Sequence, residues 1–310
     1  MQVITDLDKF RSAPTVLTIG NFDGVHLGHQ QLLGMVRDRA RALGAPATVL
    51  TFEPHTRAVV RPDQPLDLLT QLPEKLARLD AVGLDQAAIV PFTPATAQLD
   101  AGQFLTWLTR SFPLIELWAG ENFALGHHRT GNVGVLADLG RTLGFTLQIF
   151  PHLADGGTVV SSTAIRQALA GGAVDAATAM LGRFYTLPGT VVPGARRGRE
   201  LGFPTANLDP PAHQMIPADG IYATLTTRPR TGERLRSITS IGVRPTFGPS
   251  ARLIEVYLLD FDADLYGETL SVDFVAYLRS QVAYTGPAPL IAQMHQDLAR
   301  TRDVLAAALV

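Results

Sequence analysis

The segment from Ile19 to Gln30 constrains the fold of the first half of the chain more than any other. It follows an apolar run of strand length, Thr15 to Ile19, and it precedes residues Gln31 to Leu43, whose apolar side chains recur at helical spacing up to Gly44. The segment reads Ile-Gly-Asn-Phe-Asp-Gly-Val-His-Leu-Gly-His-Gln. A strand, a glycine-rich turn and a helix start, in this order, predict a backbone that approaches a polyphosphate closely and donates free N–H groups to it.

Two histidines of this segment, His26 and His29, admit three interpretations. They could cap or pack the start of the helix, they could join Asp23 as three metal ligands, or they could donate hydrogen bonds to phosphate oxygens. The sequence has no His-Glu-x-x-His run and no cysteine that would complete a metal site. The surrounding glycines, which include Gly20 and Gly28, favour phosphate binding, in a motif that lacks the lysine of a P-loop.

The string Gly-Asn-Phe-Asp-Gly-Val-His-Leu-Gly-His resembles the His-x-Gly-His signature of the nucleotidylyltransferase superfamily. Over its full length it resembles the opening motif of the bacterial bifunctional riboflavin kinase/FMN adenylyltransferases. The resemblance implies a Rossmann-like nucleotidylyltransferase domain in which His26 and His29 are catalytic. It further implies that the turn binds ATP and flavin through Gly20, Asn21, Phe22, Asp23 and Gly28.

A second motif of the same family matches Val160 to Arg166, read as Ser-Ser-Thr-x-x-Arg. Its hydroxyls and guanidinium at one helix start suit a phosphate chain, so Ser162 and Thr163 are expected to bind ATP and Arg166 to be catalytic. By the same resemblance Asn122 orients a substrate. The chain departs from the family at Leu125, where phenylalanine is usual, and at Thr56, where proline is usual.

The periodicity of the chain changes near residue 184. Before that point short apolar runs alternate with helical stretches, which predicts a parallel sheet with helices on both faces. After it, segments with period-two alternation are separated by Gly/Pro-rich turns, which predicts a small antiparallel barrel, closed by a helix over residues 290–309. The expected domains are an FMN adenylyltransferase over 1–184 and a riboflavin kinase over 185–310.

The kinase expectation depends on the string Gly-Phe-Pro-Thr-Ala-Asn-Leu, which resembles the riboflavin kinase signature. The resemblance implies that Thr205 and Asn207 hold Mg²⁺ and that Glu255 accepts the proton of the riboflavin 5′-hydroxyl. The pattern alone would put Glu255 on a solvated strand face. Two positions, Gln281 and Tyr284, depart from the family, which has an acid and a phenylalanine there. Further predicted ATP- or flavin-binding residues are Gly198, Arg199, Gly202 and Arg279.

Composition limits the remaining possibilities. The 310 residues, 46% hydrophobic and 17% charged, suffice for two globular domains, and a net charge of −2 argues against wholesale nucleic-acid binding. The N-terminus has no signal-peptide pattern and no apolar run is long enough to span a membrane, so a cytoplasmic protein without a membrane partner is expected. We therefore expect ATP-dependent conversion of riboflavin to FMN and then to FAD. The alternative is a flavin or nucleotide sensor that has lost one activity.

Overall fold

The computed structural model describes residues 1–64, 66–151, 154–155, 158–194, 202–243 and 252–308. They form two compact units, Met1–Ser162 and Thr163–Val310. The first contains a parallel sheet and the second a closed antiparallel barrel followed by a helix, so the predicted fold class is confirmed. The boundary between the units precedes residue 184, because two short helices between residues 163 and 181 group with the barrel. Which residues carry each of the two activities stays a prediction.

In the first unit, the described residues form a six-stranded parallel sheet of order β1-β4-β3-β2-β5-β6. Its strands are β1 (Gln2–Ile4), β2 (Thr15–Ile19), β3 (Ala47–Glu53), β4 (Gln86–Pro91), β5 (Leu114–Gly120) and β6 (Thr146–Phe150). The helices are α1 (Leu27–Ala42), α2 (Thr56–Val60), α3 (Leu72–Val82), α4 (Pro94–Gln98), α5 (Ala101–Leu108) and α6 (Val133–Leu143). A 3₁₀ turn (His127–Arg129) and a short hairpin, β7 (Ala154–Asp155) and β8 (Thr158–Val159), complete the described elements of this unit.

Helices cover both faces of this sheet, as the alternation predicts. Val16 of β2 packs in a cluster with Leu33 of α1 and Leu79 of α3. The next residue, Leu17, points to the other face and packs in a cluster with Leu105 of α5. Successive residues of a strand face opposite sides, so both faces are apolar and the strand reads as a continuous hydrophobic run.

The start of α1 differs from the sequence-based expectation. The helix begins at Leu27, four residues before the predicted Gln31, because His26 acts as its N-cap. The predicted glycine end of α1 is confirmed, because Gly44 follows the helix with φ of 64°. Gly83 and Gly144 cap α3 and α6 in the same left-handed conformation, with φ of 87° and 82°.

In the second unit, the barrel closes in the order β10-β13-β12-β11-β14-β9. Its strands are β9 (Tyr185–Val192), β10 (Ala206–Asp209), β11 (Gly220–Arg228), β12 (Glu233–Val243), β13 (Arg252–Leu258) and β14 (Thr269–Arg279). The helices that belong with it are α7 (Ser162–Ala170), α8 (Val174–Leu181) and α9 (Pro287–Ala308). The sequence pattern does not predict strand β10, since three of its four residues lie inside the Gly-Phe-Pro-Thr-Ala-Asn-Leu motif.

Strand β11 shows how the barrel is packed. Its residue Leu225 packs in a cluster with Leu305 of α9 on one face. On the other face the buried Thr224 hydroxyl lies 2.8 Å from Ser237 Oγ and 2.9 Å from Thr239 Oγ1 on β12. The buried hydroxyls thereby satisfy one another. No helix in the described parts of the chain is long and apolar enough to cross a membrane.

Candidate active sites

The turn between β2 and α1 has a strained backbone. Phe22, Gly24 and Val25 have φ angles of 49°, 82° and 39°, in the left-handed region that a β-branched residue rarely adopts. Phe22 and Val25 are buried in the core under the sheet, and this packing holds the turn in place. Gly20 is needed beside them, because a Cβ there would come within 3.0 Å of the Phe22 ring. The turn is therefore rigidly shaped before α1 begins.

His26 lies at the N-cap of α1, with His29 one turn further on. The Nδ1 atom of His26 accepts a hydrogen bond from the backbone N–H of His29 at 3.3 Å, and the two rings stack with centroids 3.6 Å apart. The capping interpretation is thus correct for His26. Because Nδ1 is the acceptor, the proton of the neutral His26 ring lies on Nε2, which makes Nε2 the donor of this ring.

His29 is held in its neutral form. Burial lowers its pKa well below the usual range of a histidine, and the proximity of His26 and of Lys75 lowers it further. Its Nδ1 atom is buried and has no hydrogen-bond partner among the described residues. A buried polar atom in this state calls for an explanation.

Asp23 is oriented away from a metal-binding role. Its side chain is buried, and its Oδ1 accepts hydrogen bonds from the backbone N–H groups of Leu69 at 3.0 Å and Thr70 at 3.1 Å. The Thr70 hydroxyl in turn accepts a hydrogen bond from the Gly24 N–H at 3.0 Å. The Asp23 carboxylate therefore ties the turn to the segment that precedes α3, and it does not join the two histidines as a third metal ligand.

Asn21 connects the turn to α2. Its Nδ2 donates to Thr56 Oγ1 at 2.9 Å, and its Oδ1 accepts from the Thr56 N–H at 3.2 Å. A proline at position 56 would have neither the N–H nor the hydroxyl. The threonine that replaces the family's usual proline at position 56 therefore forms two hydrogen bonds with Asn21 that a proline could not form.

The second predicted phosphate-binding motif contacts the turn through Ser162, which belongs to the first unit. Ser162 Oγ donates a hydrogen bond of 2.9 Å to the carbonyl oxygen of Asp23, although 139 positions separate the two residues. Gly28 lies in the first turn of α1, close in sequence to the same turn. Thr163 and Arg166 follow on α7, where their roles as phosphate ligands stay predictions.

A cleft of about 890 Å³ opens beyond the C-terminal ends of β2 to β5. Ligands bind at this position in open parallel sheets. Gly20, Asn21 and Asn122 line it, as the sequence predicts, and so do residues that the sequence did not single out. Prominent among the latter are Phe52, Phe92, Phe123, His127, His128 and Arg129.

Aromatic side chains line this cleft, although Leu125 stands where the family usually has a phenylalanine. Leu125 is 7% exposed and packs in the apolar cluster under the cleft. Phe52 and Phe92, with ring centroids 5.3 Å apart, also line the cleft and present aromatic surface. The loop that carries Asn122 is held by Arg129, whose Nη2 donates to the Asn122 carbonyl at 2.9 Å.

In the second unit, Asn207 and Glu255 are direct partners across β10 and β13. Ser240 of β12 is the partner of Glu255 on its other side. Side chains of directly paired residues share one face of a sheet, so the predicted metal ligand and the predicted base are neighbours. Glu255 lies on the less buried face of β13, opposite Ile254 and Val256, which point into the core.

Gly194 and Thr205 complete the surroundings of Asn207. A Cβ on Gly194 would come within 1.9 Å of Asn207 Nδ2, so the backbone at position 194 presses directly on this amide. Thr205 lies two residues before Asn207 and lines a separate cleft of about 480 Å³, together with Asp262 and Tyr266. Gly202 has φ of 83°, and Gly198 and Arg199 lie outside the described residues.

Arg279 and Gln281 anchor the segment that follows β14. Arg279 makes hydrogen bonds to both carboxylate oxygens of the buried Asp297 on α9, at 3.0 Å and 3.1 Å from Nε. Gln281 donates from Nε2 to Ser240 Oγ at 3.1 Å and to the Ile241 carbonyl at 3.0 Å. The departure at Gln281 thus places a neutral amide beside Ser240, next to the strand that carries Glu255. Tyr284 is partly buried in the following segment.

These features define a class of protein: an α/β unit with a glycine-rich turn and a cleft at the C-terminal ends of its parallel strands, followed by a β-barrel unit in which an amide and a carboxylate are paired across two strands. Two family models match the chain in the same order. The one described as FAD synthetase matches residues 9–164, and the one described as riboflavin kinase matches residues 181–305.

Individual proteins resemble the chain over nearly its whole length. The bifunctional riboflavin kinase/FMN adenylyltransferase of Escherichia coli K12 is 35% identical over 308 residues, which cover 98% of this chain and 97% of the relative. The protein of the same name from Bacillus subtilis is 33% identical, covering 94% and 92%. A solved structure from Streptococcus pneumoniae, described as a macrolide-efflux protein, has a TM-score of 0.88 at 28% identity and covers 97% of this chain and 98% of its own.

The chain therefore belongs to the family of bifunctional riboflavin kinase/FMN adenylyltransferases. It is a transferase that combines an FAD synthetase part with a riboflavin kinase part. The family, the enzyme class and the two-step flavin synthesis predicted from the sequence are confirmed by these matches.

Proposed function

We propose that residues 1–184 transfer the adenylyl group of ATP to FMN, and that residues 185–310 transfer the γ-phosphate of ATP to riboflavin. The observation that carries the first assignment is the hydrogen bond from Ser162 Oγ to the Asp23 carbonyl, which joins the two phosphate motifs. The observation that carries the second is the direct pairing of Asn207 with Glu255.

Adenylyl transfer requires alignment of two anions. A phosphate oxygen of FMN attacks the α-phosphorus of ATP, and pyrophosphate leaves. The Nε2–H of His26, the ring of His29 and the N–H groups of the first turn of α1 stabilise the negative charge on the α- and β-phosphates. Ser162, Thr163 and Arg166 act on the β/γ side, where a guanidinium suits the leaving pyrophosphate.

The cleft beyond β2 to β5 holds the organic part of the substrates. Its aromatic side chains Phe52, Phe92 and Phe123 offer surfaces for a planar ring, and Asn122 at its edge orients the substrate. Because the cleft begins at Gly20, a ring bound there lies next to the phosphate-binding turn. This arrangement brings the two reacting phosphates together.

In the kinase site, Glu255 accepts the proton of the riboflavin 5′-hydroxyl as its oxygen attacks the γ-phosphorus, and ADP leaves. Thr205 and Asn207 would hold Mg²⁺, which neutralises phosphate charge when bound. They fit this ion because both offer neutral oxygens, to which ATP adds anionic ones. The close approach of Gly194 fixes the Asn207 amide in one position.

We expect the substrates and products to be riboflavin, FMN, FAD and ATP, with neither nucleic acid nor a membrane as partner, and we assign the protein to the cytoplasm. The test is chromatography of the full chain incubated with riboflavin and Mg-ATP. FMN and then FAD should accumulate. A sensor that has lost one activity would stop at riboflavin or at FMN, and would leave the corresponding assignment without support.

A further inference from the structure

Lys75 is an unusual residue in this chain. The sequence has two lysines, Lys9 and Lys75, against 24 arginines. The Lys9 side chain is 86% exposed and forms an ion pair with Asp6, as a surface lysine commonly does. Lys75 is 4% exposed. Lysine is almost never so deeply buried unless its ammonium is paired.

The position of Lys75 connects it to the phosphate-binding turn. It lies in the first turn of α3. In the segment that leads into α3, the backbone N–H groups of Leu69 and Thr70 donate hydrogen bonds to the Asp23 carboxylate. The same helix packs against α1 through Leu79. The start of α3 is therefore connected to the turn by the hydrogen bonds to Asp23, and α3 is connected to the histidine-bearing helix α1 by apolar packing.

The Lys75 ammonium has no hydrogen bond or ion pair with any residue that the structure describes. The carboxylates of Asp23 and Glu53 attract it only from beyond ion-pair distance. Burial outweighs this attraction and lowers the pKa of Lys75. The Asp23 oxygens are already engaged by backbone N–H groups. A buried cation in this state is costly, and a ligand with negative charge would relieve the cost.

A second atom points to the same ligand. The Nδ1 atom of His29 is buried without a partner among the described residues, and the charge of Lys75 is close enough to disfavour protonation of the His29 ring. An ammonium that burial has largely removed from water and an imidazole nitrogen without a partner thus lie near each other. A carboxylate from the protein would neutralise such a pair permanently, whereas a phosphate chain would do so only while it is bound.

We propose that Lys75 is a phosphate-binding residue of the adenylyl-transfer site, whose ammonium contacts the phosphate chain of ATP and the pyrophosphate that leaves. This proposal rests on the assignment of adenylyl transfer to the turn at His26 and His29. It supplies from α3 the lysine that the turn motif lacks in its own sequence. The rival explanation is a structural lysine that supports the start of α3 and never touches a ligand.

The experiment uses the full chain and the variant Lys75→Met, which keeps an unbranched apolar side chain as far as Cε but removes the ammonium group. Forward adenylylation is measured with FMN and ATP, and the reverse reaction with FAD and pyrophosphate, which yields FMN and ATP. Pyrophosphate is not a substrate of the kinase, so its KM reports on the adenylyl-transfer site. The matched control is Lys9→Met, which removes the exposed lysine.

For Lys75→Met we expect forward kcat/KM to fall on the order of 10²-fold, the scale for losing one charge-stabilising donor. The KM for pyrophosphate should rise, with the KM for FAD and the riboflavin kinase rate unchanged. The His29 ring, followed by NMR, should titrate at higher pH, because a repelling charge is gone. Lys9→Met should behave as the parent in each assay.

Two outcomes would overturn the proposal. One is a folded Lys75→Met protein that makes FAD at the parent rate while His29→Ala does not, which would leave the site assignment intact and remove only the lysine. The other is a loss of FAD synthesis with the KM for pyrophosphate unchanged, which would indicate a structural lysine. If both Lys75→Met and His29→Ala keep the parent rate, the assignment of the site itself fails.

Discussion

Asn207 and Glu255 lie directly opposite each other on β10 and β13, in the part of the barrel where Gly194 presses against the Asn207 amide. Antiparallel pairing fixes their side chains on one face within a few ångströms, however far apart they are in sequence. A base that receives a hydroxyl proton and an oxygen that holds the metal of the phosphate donor must be neighbours for in-line transfer. This pair therefore supports the kinase assignment and gives its first two predictions.

Glu255→Gln should abolish most riboflavin phosphorylation and spare FMN adenylylation. The amide has nearly the same shape but cannot accept the hydroxyl proton, and loss of a general base typically costs about 10²- to 10⁴-fold in rate. Total FMN plus FAD formed from riboflavin measures the first reaction, and FAD formed from added FMN measures the second. Glu233→Gln, a change on the surface of β12, is the control. Parent-rate phosphorylation by a folded Glu255→Gln variant would leave Glu255 as a polar residue on a solvated face.

Gly194→Ala should also impair the kinase, by displacing Asn207. A Cβ would stand 1.9 Å from Asn207 Nδ2, so the amide must move away from its position beside Glu255. The KM for Mg-ATP in riboflavin phosphorylation should rise, and additional Mg²⁺ should restore part of the rate. Gly171→Ala is the matched control, because a Cβ there meets only ordinary contacts at 3.5 Å. Equal kinase rates in the two variants would contradict the role given to Asn207.

His29→Ala should impair FMN adenylylation and leave riboflavin phosphorylation unchanged. The ring stacks on His26 at the start of α1, where we propose that the phosphate chain binds, and losing one donor to such a chain commonly costs on the order of 10²-fold in rate. Steady-state FAD synthesis from FMN and ATP is the measurement. The kinase rate of the same preparation serves as the internal control, and unchanged FAD synthesis would remove His29 from the site.

The stability of the first unit should depend on pH through His29. Its pKa in the folded protein is well below the usual value, because the ring is buried near His26 and Lys75. The unfolded chain binds a proton as pH falls through about 6.5, and the folded chain does not until the lowered pKa is reached. The part of the unfolding free energy that is linked to His29 is therefore fully present above pH 6.5. It is lost as pH falls from 6.5 toward the lowered pKa, by up to about 1.4 kcal/mol per pH unit for one proton.

Urea unfolding followed by tryptophan fluorescence measures this effect. Both tryptophans of the chain, Trp107 and Trp118, lie in the first unit, so the signal reports on that unit. His29→Gln should flatten the fall in unfolding free energy between pH 6.5 and the lowered pKa. The exposed His128→Gln should not. An equal slope in parent and His29→Gln would show that other groups control the acid sensitivity.

Local sequence patterns predicted the elements but not all of the contacts that make the sites. Strand β2 matches its predicted bounds, Thr15 to Ile19, since a continuous apolar run of strand length has few alternatives in an alternating α/β pattern. The helical spacing predicts the start of α1 four residues too late, because histidine is not among the strong N-cap residues and its capping depends on the turn. Strand β10 is four residues long and follows a proline, so period-two alternation could not identify it.

Lys75 is a clearer example of a feature that local sequence patterns cannot predict. In the sequence, Glu74-Lys75 at the start of a helix reads as an exposed charged pair, and Glu74 indeed pairs with Arg78 one turn later. The burial of Lys75 arises from the packing of α3 against α1 and from the hydrogen bonds between Asp23 and the segment that precedes α3. Both are tertiary contacts between distant parts of the chain. The aromatic wall formed by Phe52 and Phe92 is likewise assembled from the ends of two strands.

The last prediction concerns where the chain can be divided. A fragment of residues 1–184 should make FAD from FMN, whereas a fragment of residues 1–162 should not, although it contains every strand of the parallel sheet. The shorter fragment lacks Thr163 and Arg166, the predicted partners of the leaving pyrophosphate, and it ends at Ser162, whose hydroxyl contacts the turn.

The longer fragment has a cost of its own. In the full chain Val174, Ala177 and Leu181 of α8 are buried, and α8 packs against β9 and β14 of the barrel. Without the barrel these side chains are exposed to water, so fragment 1–184 should be less soluble than 1–162 while being the active one. The measurement is FAD synthesis per mole of folded fragment, with folding checked by tryptophan fluorescence. Equal activity of the two fragments would mean that Thr163 and Arg166 are dispensable, and adenylyl transfer would then depend on the turn, the histidines and Ser162 alone.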